Sequence, residues 1–193
     1  MNKERLEAFG DAIIAIIITI MVLEFQAPES PELSALLPLI PEFLAYVLSF
    51  VFLTIYWNNH HNLFQAVKRI NGAVLWANLH LMFWLSLVPF TTAWLSEAGL
   101  QSGPVTLYGL VLLLAGVAHF ILMRTLIALH GKNSPFATAV GHDTKGKLSL
   151  VLYAAGLVLG WLLPMLALAF YILVAIIWLV PDRRFEKVIR SSK

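Results

Sequence analysis

Residues 5–24 read RLEAFGDAIIAIIITIMVLE, which sets one carboxylate, Asp11, at the head of an apolar helical run. An ionised side chain at membrane depth is costly and persists where partners or water meet it. Beyond Asp11, Thr19 is the one polar side chain before Glu24 closes the run. Such a segment belongs in a membrane, and the rest of the chain has to bring polar groups to Asp11.

The composition agrees. Of 193 residues, 60% are hydrophobic and 12% charged, about half the charged share of an ordinary soluble domain, and the mean hydropathy is +0.81. These values point to an integral membrane protein built of helices. The first apolar run is not expected to be a cleaved signal peptide. It lacks a small-x-small exit site, and a proline-rich turn follows Glu24. Without cysteine there are no disulfides and no thiolate metal sites. The basic residues flank the membrane rather than cover a soluble face, so no nucleic-acid partner is expected.

A helix crosses the bilayer with about 20 apolar residues. The pattern predicts a single all-α transmembrane domain over 1–193 with six spans, near 6–25, 36–66, 73–95, 105–129, 148–161 and 164–180. Pro89 is expected to kink the third span in its outer half. The run from Leu148 to Val180 is too long for one helix, and Gly160 and Pro164 split it into a hairpin. Residues 131–147 form the one long polar loop. An even number of spans puts both termini on one side. That side then carries Lys3, Arg5, Lys68, Arg69, Lys132, Lys145, Lys147 and the basic tail from Arg183 to Lys193. The other side has no lysine or arginine, so both termini are expected in the cytoplasm of a multi-pass cell-membrane protein. The outer side carries Glu24, Glu29, Glu32, Glu42 and Glu97. They are either simply hydrated loop carboxylates or a mouth that concentrates cations.

Polar residues recur at one level in four helices: Asp11, then Asn58 to Asn62, then Asn78 and His80, then His119 and Arg124. Polar groups at that depth must find one another or water. A hydrogen-bonded layer around Asp11 is the economical reading. Metal ligation by His60, His61 and His80 is the sharper alternative, but adjacent histidines face different sides of a helix and no H-E-x-x-H pattern supports them. No nucleophile elbow, P-loop or Rossmann glycine pattern occurs, so neither an enzyme nor a cofactor is expected.

At 100° per residue, Ile16, Thr19, Ile20 and Leu23 share one stripe of the first helix, and Asp11 lies roughly opposite Ile16. Ile14, Ile17 and Met21 make an equally apolar opposite face. Periodicity leaves open whether the stripe lines a pore or meets helices and lipid.

The R-x-x-x-F-G-D start and V-L-E end of this segment resemble the first-helix signature of the transmembrane protein 175 family. The similarity continues through Tyr56-Trp57-Asn58-Asn59-His60-His61, Asn78-Leu79-His80-Leu81, Val88-Pro89-Phe90-Thr91-Thr92 and Trp178-Leu179-Val180-Pro181. The resemblance implies a homotetrameric, potassium-permeable, cation-selective channel in a lipid bilayer, its pore lined by four first helices. By position after the aspartate, Ile16, Ile20 and Leu23 would form the apolar constriction and Thr19 the hydroxyl layer that favours cations. Arg5, Phe9 and Asp11, with Trp57, His60, His61, Asn78 and His80, would form the network of the motif. The family serine is replaced by Gly10. No T-V-G-Y-G filter occurs. Other classes remain: a proton-leak pathway or proton-coupled transporter using Asp11 and the histidines, or a scaffold without flux.

The orientation is testable with single cysteines, which the chain lacks. In intact cells an impermeant thiol reagent labels Cys at Glu29 and Gly99, and reaches Cys at Ser134 only after permeabilisation. Labelling at Ser134 alone overturns the orientation.

Overall fold

The computed structural model describes residues 2–179, and every regular element among them is helical. The first helix, α1 (Lys3–Leu23), starts where Asn2 Oδ1 accepts the Arg5 amide at 3.0 Å. A proline-rich connection leads to a 3-10 turn over Leu33–Leu39, which continues into α2 (Ile40–Gln65), with Pro41 in its first turn. Pro suits that position because its missing N–H would have no intrahelical partner there.

The expected third span is two helices. It divides at Leu87 into α3 (Gly72–Ser86) and α4 (Val88–Ala98), because Pro89 cannot donate to the preceding turn. Gly99, at φ 69°, ends α4 in a conformation that glycine adopts freely. The long helix α5 (Ser102–His130) follows. The expected polar loop after it is partly folded. Its short helix α6 (Pro135–Val140) buries Phe136 and Val140. Asp143, at φ 43°, then caps α7 (Thr144–Gly160), which turns into α8 (Pro164–Leu179). The end of the expected sixth span at Val180 and the basic tail lie outside the described residues.

Among the described residues, four stretches are long and apolar enough to cross a membrane: Lys3–Leu23, Leu33–Gln65, Gly72–Ala98 and Ser102–His130. Helices α7 and α8, at 17 and 16 residues, are shorter. α5 is central, packing against α3, α4, α7 and α8. It divides the interior into two apolar clusters. One joins α1, α2 and α3 through Leu6, Ile14, Leu53, Phe64 and Leu81. The other joins α2, α7 and α8 through Phe52, Tyr108, Tyr153 and Tyr171. The first helix stands at the margin, packed on α2, α3 and α4. Its far side is left bare.

Candidate functional site

Lys3, Glu7 and Asp11 recur every fourth residue, so they share one face of α1. Trp57, His61 and Gln65 do the same on α2. The two helices run antiparallel, and these faces meet rung by rung. Trp57 Nε1 donates to Asp11 Oδ1 at 3.1 Å. One turn on, Glu7 Oε1 receives Gln65 Nε2 at 3.1 Å and lies 3.1 Å from His61 Nδ1. Last, Lys3 Nζ donates to the carbonyls of Phe64 and Val67 at 3.1 and 3.3 Å, at the end of α2, where the final carbonyls lack the i+4 amides that serve the rest of the helix. Trp57 and His61 stack at 22° between planes, which closes the gap between two rungs.

His60 follows a different face. One residue from His61, it turns about 100° away and is fully buried. Its Nε2 lies 2.7 Å from Oδ1 of the equally buried Asn78, linking α2 to α3. The ring occupies the space where a side chain at position 10 would stand. A Cβ there would lie 2.8 Å from His60 Cε1. Gly10 is therefore what allows α1 to close on the His60–Asn78 pair.

Of the expected motif residues, Asp11, Trp57 and His61 belong to the ladder, and His60 and Asn78 form the adjoining pair. Three lie apart from both. Arg5 is exposed and is held through its backbone amide, bonded to Asn2. Phe9 is also exposed. His80 sits on the outer side of α3 and accepts from Trp84 Nε1 at 2.9 Å. Glu7 and Gln65 were not singled out by sequence, although their fourfold spacing from Asp11 and His61 carried the signal. Among the described residues, no three potential ligands gather around a common metal position.

The ladder sets the rotation of α1 about its axis. On the anchored side Ile14, Ile17 and Met21 are 1, 4 and 3% exposed. On the other side Ile16, Ile20 and Leu23 are 56, 41 and 79% exposed, and Thr19 is exposed with them. The Thr19 hydroxyl donates to the Ile16 carbonyl at 2.9 Å, which leaves its oxygen lone pairs facing outward. Beside this face an open apolar groove runs between α1 and the α3–α4 pair, lined by Ile16, Ile20, Met82, Phe83, Pro89 and Phe90.

Comparison with known proteins places this geometry. The family model described as endosomal/lysosomal potassium channel TMEM175 matches residues 5–89. A potassium channel of Chryseobacterium sp. (strain P1-3) is 47% identical over 192 residues, covering 100% of both chains. An endosomal/lysosomal proton channel TMEM175 of Danio rerio is 30% identical over 140 residues, covering 70% of this chain and 26% of its own. The crystal structure of a lysosomal potassium-selective channel TMEM175 homolog from Chamaesiphon minutus superposes with a TM-score of 0.79 at 25% identity. It covers 93% of this chain and 97% of that one.

The contact at Gly10 yields a sharp expectation. Gly10→Ser, which restores the family serine, should lower stability by about 1–3 kcal/mol through overpacking. The penalty should shrink in a His60→Ala background, as read by thermal melts of the four proteins in a double-mutant cycle. An equal penalty in both backgrounds contradicts the contact.

Proposed function

The chain belongs to the TMEM175 family, and we propose that it is a potassium channel whose pore is lined by the bare face of α1. That exposed Ile16–Thr19–Ile20–Leu23 face is the observation that carries the proposal. A large apolar surface on a subunit calls for a partner or for lipid. Here one oxygen-bearing side chain lies in its middle, as a cation path needs and a lipid-facing stripe does not.

The pore closes as a ring of four copies. The groove between α1 and the α3–α4 pair receives a neighbouring copy's α1, and repetition of that head-to-tail contact closes a cyclic tetramer. Rings of Ile16, Ile20 and Leu23 then form a narrow apolar neck that resists wetting. The Thr19 ring offers oxygen atoms that replace part of an ion's hydration shell. Short of its last turn, α1 cannot supply a carbonyl filter, since those carbonyls are committed to its own helix. The Glu7–Asp11 ladder does not touch the ion. It holds the stripe toward the axis.

The chain crosses the cell membrane six times with both termini cytoplasmic. Glu24 and the other carboxylates of the outer loops raise the local cation concentration at the mouth. The zebrafish relative's name makes protons the alternative permeant. Reversal potentials in potassium, sodium and proton gradients across proteoliposomes separate the two.

Mutations test the neck directly. Ile16→Asn wets it and raises potassium flux by roughly tenfold, a change of about 1.4 kcal/mol in barrier, with weaker discrimination against sodium. Thr19→Val lowers potassium preference and leaves flux. Ile14→Asn, on the buried face, reduces stability by about 2–4 kcal/mol. In a single-cysteine scan, a small water-soluble thiol reagent blocks current at positions 16, 20 and 23 and spares 14, 17 and 21. Block spread evenly around the helix sinks the pore assignment.

A further inference from the structure

α5 and α7 run antiparallel in a register that can be followed along their contact. The Ser102 hydroxyl donates to the Trp161 carbonyl at 3.2 Å. The Gly160 backbone lies against Thr106, and Gly116 against Leu150 and Tyr153. Furthest along, Asp143 and Gly146 line one small cavity with His119 and Asn59. In that register Lys147 is level with His119 and Thr144, the first residue of α7, with Leu122, and the remaining turns of α5, to His130, run on past it. At 1.5 Å per residue those turns extend about 12 Å beyond the start of α7.

α7 carries its lysines at the start. Lys147 is exposed, and from Leu148 to Leu179 there is no charged residue. The turn between α7 and α8 is apolar too. Trp161, Leu162 and Leu163 are 69, 77 and 53% exposed. The Leu162 and Leu163 amides both donate to the Leu159 carbonyl. A turn with its amides paired and apolar side chains outward suits lipid contact rather than bulk water. Helices of 17 and 16 residues reach about 25 Å, against roughly 30 Å for a usual hydrocarbon core.

We infer that the α7–α8 hairpin fixes the lipid contact of this protein: its Trp161–Leu163 tip sits among the outer-leaflet headgroups, and the hydrocarbon ends on the inner side near Lys147 and His119. The partner is a bilayer whose hydrocarbon core is about 21 Å thick around each subunit, the rise from Lys147 to Trp161, thinned where it is normally thicker. Asn59 lies at the inner boundary, and Trp57 is half a turn outward from it. The Asp11 rung then lies at the cytoplasmic headgroups, and Glu7, His61 and Gln65 stand in the aqueous layer. The part of α1 that crosses hydrocarbon is little longer than the stripe from Ala12 to Leu23. The inference rests on the six-crossing proposal, since it needs the hairpin to traverse.

Single spin-labelled cysteines in phosphatidylcholine proteoliposomes test it through relative accessibility to oxygen and to a water-soluble nickel chelate. Val151 and Val158, exposed on α7, serve as hydrocarbon references. Labels at Leu162 and Ile121 should both report headgroup depth, and one at Ala128 should report water. If Leu162 reports headgroup depth but Ile121 is as deep as Val151, the thin-bilayer inference fails and the six crossings stand. If Leu162 is as deep as the references, the hairpin does not traverse, and both fail.

Discussion

The antiparallel ladder between α1 and α2 is the interaction on which the rest depends. A helix surrounded by apolar neighbours has little to fix its rotation, because one isoleucine face packs about as well as another. Two carboxylates remove that freedom. Asp11 has the indole of Trp57, and Glu7 has Gln65 and His61. A rotation of α1 by one residue, 100°, would break every rung at once. Turning Glu7 away from α2 forfeits its contacts with Gln65 and His61, whereas one apolar face repacks about as well as another. The buried stripe that continues the ladder, through Ile14, Ile17 and Met21, follows from the same phase. So does the bared stripe opposite.

Gly10 stands at the junction of two systems. On one side is the charged ladder, which reaches the subunit surface at Trp57 and His61. On the other is the His60–Asn78 pair, sealed from solvent between α2 and α3. A side chain at position 10 would meet the imidazole. In this chain the missing hydroxyl of the family motif is accompanied by close approach of a histidine, and the polar link to α3 starts from His60 of α2, while α1 meets α3 through apolar packing.

Much of this was legible in the residues. The two faces of α1 follow from helical phase alone, and the partition of Ile16, Ile20 and Leu23 from Ile14, Ile17 and Met21 matches their exposure in the subunit. The sequence places a kink at Pro89 in the third span, and the structure turns that kink into a full break at Leu87. Other features were hidden. Asn58 to Asn62 read as a uniform polar patch, and only the antiparallel register sorts His61 toward Glu7 and His60 toward Asn78. His80 shares the level of the ladder but points away from it, toward Trp84. Glu7 was overlooked because it lies among charged residues at a helix start, where a solvated carboxylate is unremarkable. The fold of the 131–147 loop was masked by its polarity. Phe136 and Val140 are too few to show a periodic pattern, yet both are buried.

The central claim is that the face bared by the ladder meets its own copies around a central axis. Cysteine cross-linking in the membrane tests this most directly. Leu23→Cys, the most exposed position of the stripe, should form disulfide-linked dimers on mild oxidation and lose potassium flux, with recovery on reduction. Met21→Cys, two residues away and buried, should do neither. Cross-linking at 21 in place of 23, or at 23 with flux undiminished, would contradict the account.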